Sequence, residues 1–366
     1  MNTGMVTLVA RDVAPSRAFD RLANLLGERG FHACLCVGSG KPLEQTDSEI
    51  VSLVLSAGVV ILGMSSSQDL AAPEILAGQA AKSANIPYGF YGDNRGCWQR
   101  ARKDAWLGPL APEVRFYFGT EQADADLARE VFLKAQLLGT GNPLREEMAF
   151  HRFSRDEVRS KLGLAHDEKM VLVAGTKFVG QGMASLVIAM EALSYLNSTG
   201  EKFQLILAPH PGDRTQFAID PANGKELRVY HELMQFSPVP ARIVDKSFLS
   251  SSDMVPGADL ILEFGSAIGI EGAFQRVPVI SLGFEISLLR LEQTNGKRQP
   301  ESVEEGISEL VVAHPHMLAA RIEHLLTPEG YAPMRARQAQ ACPIPERGVA
   351  VRKMADAIER ILTSRA

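Results

Sequence analysis

The stretch Asp259–Ala273, with the sequence DLILEFGSAIGIEGA, gives the strongest indication of the fold. Its apolar start predicts a strand, the small residues Gly265-Ser266-Ala267 predict a tight turn, and a helix follows. A helix N-terminus presents unpaired backbone N–H groups and the positive end of the helix dipole, and both favour an anion. Ser266 is placed as an N-cap or a phosphate contact. Glu271, one to two turns into the helix, is placed to accept hydrogen bonds from two adjacent hydroxyls, as on a ribose, although a solvated helix glutamate is the plain alternative.

A second loop of similar character follows the predicted strand Lys169–Ala174. It begins Gly175-Thr176-Lys177, and its glycines allow the backbone to approach a ligand closely. Lys177 would add a point charge for a diphosphate. The spacing is neither that of a P-loop nor that of a dinucleotide fingerprint, so a plain strand-to-helix turn stays open as the alternative.

A third loop places a histidine between two prolines at a strand end, in the run Pro209-His210-Pro211. The prolines restrict the backbone on both sides, so His210 is held in a fixed direction. It can donate to a phosphate oxygen or act in proton transfer, and Arg214 is a weaker candidate for the same anion. In open α/β sheets, ligands bind beyond the carboxyl ends of the strands, where all three loops are predicted to lie.

The chain as a whole alternates strand and helix patterns, which predicts α/β architecture with parallel sheets. In the first part, the predicted strands are Val6–Ala10, Ala33–Val37, Gly58–Leu62, Ile86–Tyr91 and Val114–Phe118, with helices over Arg17–Leu26 and Pro73–Ser83. In the second part, the predicted strands are Lys169–Ala174, Phe203–Ala208, Ala241–Val244, Asp259–Leu262 and Pro278–Leu282. Between the two parts, the run Gly139–Pro143 holds two glycines and a proline and marks the domain crossing.

Composition sets the broad class. The 366 residues suffice for two domains, and the net charge of −5 with both signs interspersed argues against a protein that mainly coats nucleic acid or anionic lipid, while leaving a local basic groove open. No signal peptide is expected, and no stretch approaches the ~20 apolar residues of a membrane span. The four cysteines, which lack metal-ligand spacing, are expected to be reduced thiols in a cytoplasmic protein.

Two of these loops, together with the domain crossing, carry a family resemblance. The stretch from Glu263 to Ile280, the His210-Pro211 strand end and the crossing at 139–145 resemble the corresponding regions of GT-B glycosyltransferases and UDP-N-acetylglucosamine 2-epimerases. The resemblance implies two Rossmann-like domains facing a cleft: residues 1–143 for the acceptor, residues 144–345 for the nucleotide sugar, and a terminal helix, 346–366, that packs back on the first domain. It also implies ribose contact by Glu271, diphosphate contact by Ser266 and its turn, and a base subsite near Arg242–Phe248.

The resemblance favours a glycosyltransferase that moves a sugar from a nucleotide diphosphate, expected to be UDP, to an acceptor hydroxyl. The epimerase pattern departs here at the first strand end and at the Phe90–Trp98 stretch, and Gly272 stands where epimerases have the second residue of a Glu-Glu pair. A 2-epimerase-like enzyme is therefore the alternative, and a non-catalytic nucleotide-sugar binder is the third reading. The acceptor, the sugar and the oligomeric state are left open.

The acceptor side offers Asp93, Arg95 and Trp98 after a strand, with Asp12 and Arg17 after the first strand. Asp93 is the predicted catalytic base, with His210 as the second catalytic candidate, and the Trp98 ring is a candidate to stack on a sugar. No metal or other cofactor is predicted, because GT-B enzymes usually need none. The run Asp124-Ala125-Asp126 is interpreted as part of a helix rather than a metal motif.

Overall fold

The computed structural model describes residues 4–176, 179–210, 217–219, 226–295 and 298–364. The chain divides into two compact units. Unit 1 comprises Met1–Glu147 together with Pro345–Ala366, and unit 2 comprises Met148–Ile344.

Unit 1 contains a parallel sheet with six described strands, in the order β2-β1-β3-β4-β5-β6. The strands are β1 Met5–Ala10, β2 His32–Val37, β3 Val59–Gly63, β4 Tyr88–Tyr91, β5 Phe116–Gly119 and β6 Gln136–Gly139. The helices are α1 Val13–Glu28, α2 Asp47–Leu55, α3 Ala72–Ser83, α4 Gln122–Leu127 and α5 Pro143–Glu147, with 3₁₀ turns at Cys97–Ala101, Gly108–Glu113 and Ala128–Glu130. Strand β2 lies on one side of β1, and β3 to β6 follow one another on its other side, so the strand order reverses between β1 and β3. Such sheets form a ligand crevice at this position.

Unit 2 contains a second parallel sheet with six described strands, in the order β11-β8-β7-β12-β13-β14. Its strands are β7 Lys169–Ala174, β8 Phe203–Ala208, β11 Ala241–Ile243, β12 Leu260–Glu263, β13 Val279–Gly283 and β14 Glu309–Val312, and a separate antiparallel pair is formed by β9 Phe217–Ile219 and β10 Glu226–Arg228. Its helices are α6 Arg155–Lys161, α7 Val179–Ser198, α8 Val229–Gln235, α9 Ser251–Met254, α10 Ala267–Phe274, α11 Glu285–Asn295, α12 Glu301–Glu304, α13 Pro315–Leu325 and α14 Pro328–Ala341. The reversal of strand order here falls between β7 and β12.

The terminal helix α15, Val349–Thr363, belongs to unit 1. Its apolar stripe, which includes Met354 and Ile358, lies in one core cluster with Phe19 and Leu22 of α1. Arg29 forms an ion pair with Asp356 across the two helices at 2.6 Å. A one-sided apolar helix of this kind gains its stability from packing against a partner surface.

The central strands form as predicted because they are apolar on both faces. Strand β3 is buried along its full length, as are β1 and β12, which is typical of a parallel sheet covered by helices on both sides. The α/β prediction with two Rossmann-like sheets is therefore confirmed. No helix among the described residues is both long enough and apolar enough to cross a bilayer.

Some elements add detail to the sequence-based expectation. The polar stretch 144–162, in which a helical connection is expected, contains two short helices, α5 and α6, and the second begins at a capping box formed by Ser154 and Glu157. Strands β6 and β14 are edge strands of only four residues, too short to give a clear alternation in the sequence.

Candidate functional site

The three loops predicted to bind a ligand all belong to unit 2 and follow strands β7, β8 and β12. Because β7 lies between β8 and β12, their carboxyl ends are neighbours at one edge of the sheet. The β7 and β12 loops flank the reversal of strand order. This is the position at which open α/β sheets bind nucleotides.

Gly175 and His210 are brought together at this edge. The backbone N–H of Gly175 donates to the Ala208 carbonyl at 2.8 Å, which extends the pairing of β7 with β8 by one residue. A Cβ atom at position 175 would lie 2.5 Å from the backbone nitrogen of His210, so no side chain fits between the two loops. Thr176 and His210 are both partly exposed at the same edge. Lys177 and Arg214 lie outside the described residues.

The turn after β12 is built around a buried carboxyl group. Glu263 is 3% exposed, and its Oε2 accepts a hydrogen bond from the backbone N–H of Ser266 at 2.7 Å. Its Oε1 accepts from the hydroxyls of Ser281 and Ser302. Burial raises the pKa of Glu263, and these three donors oppose that shift. The sequence reading passed over Glu263 as a binding determinant, and the structure shows that it fixes the turn in which Ser266 stands.

Ser266 caps α10, and the turn before it is open to solvent. Gly265 has φ +61°, in the left-handed region that favours glycine, and both Gly265 and Ala267 are exposed. The Ser266 hydroxyl accepts weakly from the N–H of Ile268 at 3.4 Å and keeps its own proton to donate. The predicted N-cap is therefore present, and the helix begins at an exposed, small-residue turn.

Glu271 lies one turn further along α10 and is partly exposed. Its Oε1 accepts a hydrogen bond at 3.0 Å from the hydroxyl of Ser252, which lies on α9. Burial raises the pKa of Glu271 to about 7, and the hydrogen bond from Ser252 partly opposes this rise. A carboxylate that is poorly hydrated and has one modest donor retains acceptor capacity for hydroxyl groups.

The neighbouring Gly272 faces the sheet. A Cβ atom there would lie 2.7 Å from Ile261 Cδ1 and 2.9 Å from Val279 Cγ2. Helix α10 therefore packs so closely on β12 and β13 that the position next to Glu271 admits no side chain without displacement of the core.

The predicted acceptor-side carboxylate, Asp93, follows β4 in unit 1 and is 8% exposed. It accepts hydrogen bonds from the Cys97 thiol at 3.3 Å and from the Asn94 amide at 3.1 Å. Its backbone carbonyl accepts from Asn142 Nδ2 at 2.6 Å. Burial raises the pKa of Asp93, and the positive charge of Arg100 opposes the shift. A carboxylate with a raised pKa is suited to proton transfer.

Two further carboxyl groups form hydrogen bonds with the loops that follow β1 and β3, at the strand reversal of unit 1. Asp12 caps α1 through the Val13 N–H at 2.9 Å and accepts from the Ser66 N–H, after β3, at 3.1 Å. Burial alone would raise the pKa of Asp12, but hydrogen bonds from Ser66 and Val13 and the charge of Arg100 outweigh it, and the net shift is downward.

Glu74, on α3, forms hydrogen bonds with the same two loops. Its Oε1 accepts from Ser65 Oγ at 2.5 Å and from the Arg11 N–H at 3.3 Å, and Ser65 Oγ in turn accepts from the Asp12 N–H at 3.1 Å. Glu74 is completely buried, and burial raises its pKa to about 7. The sequence reading missed it. The signal was a single charged residue within the otherwise uncharged run 71–81.

The remaining acceptor-side candidates are less available than the sequence suggested. Trp98 is 6% exposed within the unit 1 core, and the Arg102 guanidinium lies 5.0 Å from its ring centroid. The Trp98 ring is therefore not open to stacking on a sugar. Arg95 is paired with Glu121 at 2.8 Å, and Arg17 is exposed on α1.

The acidic run at 124–126 has a structural role in the described chain. Asp124 accepts from the Gly96 N–H at 2.8 Å, and Asp126 accepts from Gln122 Nε2 at 2.9 Å, so the two carboxylates serve different partners. Across the described ranges, no group of three or more His, Cys, Asp or Glu side chains is arranged to hold a metal ion.

Several solved structures match this chain over nearly its whole length. The UDP complex of S. aureus MnaA has a TM-score of 0.62 at 14% identity, covering 98% of this chain and 97% of that one. A putative UDP-N-acetylglucosamine 2-epimerase from Listeria monocytogenes has a TM-score of 0.62 at 15% identity, covering 99% and 97%. A glycosyltransferase from Rickettsia africae has a TM-score of 0.58 at 13% identity, covering 99% of both chains.

The chain has the GT-B fold. No protein-family model matches the sequence, and the search of curated proteins finds no match. At this level of identity the likeness extends to the fold, and a GT-B fold supports several activities. The activity must therefore be argued from the sites in the two units.

Proposed function

We propose that this protein is a glycosyltransferase that binds a UDP sugar through unit 2 and transfers the sugar to the hydroxyl of an acceptor bound by unit 1. The observation that carries the proposal is the exposed Gly265–Ala267 turn, which opens α10 beside the strand reversal of unit 2 and has Glu271 one turn behind it.

In this proposal the diphosphate lies against the N-terminus of α10. The Ser266 hydroxyl and the first-turn N–H groups donate to it, and the Gly175–Thr176 backbone and His210 approach it from the neighbouring strand ends. Lys177 is proposed to add its charge from the same loop. These donors stabilise the charge that develops on the leaving diphosphate, which is the dominant contribution to many transfer reactions.

Glu271 is proposed to accept hydrogen bonds from the two ribose hydroxyls. Burial raises the pKa of its carboxyl group to about 7, and the Ser252 hydroxyl, which donates to Oε1, only partly offsets this cost of ionisation. A vicinal diol supplies two donors to that form, so nucleotide binding should favour the ionised state.

On the acceptor side, Asp93 is proposed as the general base that takes the hydroxyl proton. Its raised pKa makes it a stronger base than an exposed aspartate. Asp12 lies at the strand reversal of the same sheet and is proposed to orient the acceptor. The reaction as proposed uses no metal, because the charge on the diphosphate is met by protein donors.

The solved structures support an enzyme that acts on a nucleotide sugar, and two activities are still to be distinguished. Two of the three relatives above bind UDP or are named a 2-epimerase, and the third is named a glycosyltransferase. An epimerase-like activity is therefore the alternative. The close packing of Gly272 on Ile261 weighs against it, because the second carboxylate of the epimerase pair has no counterpart here. Incubation with UDP-N-acetylglucosamine alone separates the two, since an epimerase converts the donor without an acceptor.

The donor site is tested by thermal shift with a panel of nucleoside diphosphates and nucleotide sugars, followed by calorimetry with the best ligand. Glu271→Ala should raise the Kd for UDP roughly 10–100-fold, as expected for loss of a charged hydrogen-bond acceptor. The matched control is Glu323→Ala, an exposed glutamate on α13 of the same unit. Unchanged UDP binding in a folded Glu271→Ala protein would refute the ribose assignment.

A further inference from the structure

A groove in unit 2 lies at the edge of the sheet opposite the proposed nucleotide site. It has a volume of about 560 Å³ and runs past Asp259 and Pro278, the residues that immediately precede strands β12 and β13. A strand of four residues spans roughly 13 Å, so the strand β12 separates this groove from the Gly265 turn. Grooves of this size commonly hold small organic ligands.

Positive charge exceeds negative charge along this groove. Arg155, Arg276 and Arg335 line it, and Asp259 is the one carboxylate among its described lining residues. Asp259 is already neutralised, since it pairs with Arg155 at 2.5 Å and with Arg159 at 3.1 Å. The other two guanidinium groups therefore face the groove without a counter-charge from its walls.

Arg276 is oriented by its backbone and by three carbonyl groups. Its backbone has φ +56°, in the left-handed region that a non-glycine residue rarely adopts. Its guanidinium donates to the carbonyl oxygens of Ala273, Gln338 and Cys342, of which the last two lie at 3.2 Å and 3.0 Å. Carbonyl groups fix the orientation of a guanidinium but do not neutralise it. This conformation ends α10, since the Val277 N–H donates to the Gly272 carbonyl at 2.9 Å and the Arg276 N–H donates to the Ala273 carbonyl at 3.2 Å.

Arg335 is exposed on α14 and has no hydrogen-bond or ion-pair partner among the described residues. Burial raises the pKa of the Tyr331 phenol, and the charges of Arg335 and Arg276 act against that shift, so both cations lie within electrostatic reach of one phenol. The exposed imidazole of His151 lies on the same groove.

The rest of the groove is apolar. Its wall is formed by Leu325, Leu326 and Pro328 together with the Tyr331 ring, next to the two unneutralised cations. An inorganic anion would use the cations and leave this wall in contact with water. A phosphate ester that carries a ring or an alkyl group would use both surfaces.

We propose that this groove is a second ligand site, distinct from the nucleotide site, which binds a small phosphate ester with an apolar or aromatic substituent. Arg335 and Arg276 bind the phosphate, and the wall around Tyr331 packs against the substituent. The site is independent of the sugar-transfer proposal, because it shares no residue with the carboxyl edge of the sheet.

The test is calorimetry on the full-length protein at low salt, with phenyl phosphate as the probe and inorganic phosphate and phenol as its two halves. Phenyl phosphate should bind more tightly than either half, and its affinity should fall with added salt. Arg335→Gln should weaken it about tenfold, in line with loss of one charge-assisted hydrogen-bonding group. Arg335→Glu should abolish it.

Arg360→Gln, at an exposed arginine in the last turn of α15, is the matched control and should leave phenyl phosphate binding unchanged. Saturating UDP and the Glu271→Ala variant should also leave it unchanged, so failure of the nucleotide assignment does not affect the result. The proposal is overturned if phenyl phosphate binds no better than its halves, if Arg335→Glu has no effect, or if UDP displaces the probe.

Discussion

Replacement of Glu74 by glutamine should change how the stability of the protein depends on pH. Glu74 is fully buried on α3, and one of its oxygens, Oε2, has no hydrogen-bond partner in the described part of the chain. The other accepts from Ser65 and from the Arg11 N–H. The ionised form is therefore poorly stabilised, and glutamine keeps the shape of the side chain without the charge.

The magnitude follows from the pKa. Burial raises the pKa of Glu74 from 4.5 to about 7, a difference of 2.5. At 1.36 kcal/mol per pKa unit, this corresponds to about 3 kcal/mol. The folded protein holds the proton more tightly than the unfolded chain, so the contribution of Glu74 to stability is fully present below pH ~4.5 and is lost as the pH rises through ~7.

Urea unfolding of wild type and Glu74→Gln at pH 5 and pH 8 measures the effect. The stability of the variant relative to wild type should increase by about 2.5 kcal/mol between these two pH values, because glutamine does not titrate and pH 5 already lies above the unfolded pKa of Glu74. Other titrating groups are common to both proteins and cancel in the comparison. Ser65→Ala serves as the control: it keeps the carboxyl group, removes a donor to the ionised form, and should retain or steepen the pH dependence of wild type.

A stability difference between Glu74→Gln and wild type that stays constant within about 1 kcal/mol from pH 5 to pH 8 would refute the reasoning. It would mean that Glu74 is ionised or protonated to the same extent in the folded and unfolded chains. Its burial between the loops after β1 and β3 would then have no electrostatic cost.

Three further predictions concern other parts of the two units. Gly272→Ala should lower the free energy of unfolding by about 1–3 kcal/mol, measured by denaturant titration, because its Cβ would meet Ile261 Cδ1 at 2.7 Å. Asn142→Ala should cost about 1–3 kcal/mol by loss of its hydrogen bond to the Asp93 carbonyl, whereas a change in melting temperature of less than a degree would contradict that role. The UDP affinity of wild type relative to Glu271→Gln should rise about tenfold from pH 6 to pH 8 by calorimetry, as the carboxylate ionises, and a flat ratio would exclude Glu271 as the acceptor.

The strand-end loops of unit 2 could be predicted because the relevant pattern is local. Apolar strands followed by Gly175, Pro209 or Gly265 are visible within a few residues of sequence, and the carboxyl ends of parallel strands meet at one edge of the sheet. The N-cap role of Ser266 follows from the same local chemistry and is present in the structure. The binding roles proposed for these residues stay predictions until a nucleotide is titrated.

The site proposed in unit 1 could not be predicted to the same depth, because its features depend on burial. Trp98 looked available after a strand but lies in the core under Arg102. Glu74 falls within the predicted helix Pro73–Ser83 without any sign of a special role, but it is enclosed between two loops distant in sequence. In both cases the residue type was clear, and its environment was set by elements that lie far away along the chain.

The sequence by itself determined the alternation of strands and helices, the α/β class and the positions of the strand-end turns, because periodicity, proline and glycine act over a few residues. Only the tertiary structure decided that β12 lies beside β7, that Glu263 and Glu74 are buried, and that Arg276 and Arg335 share a groove. These depend on long-range packing, in which the order of strands and the enclosure of a charge are fixed by contacts between segments far apart along the chain. The turn at Gly265–Ala267 depends on both sequence and tertiary structure. Its small residues predict it, and the buried carboxyl group of Glu263 holds it in place.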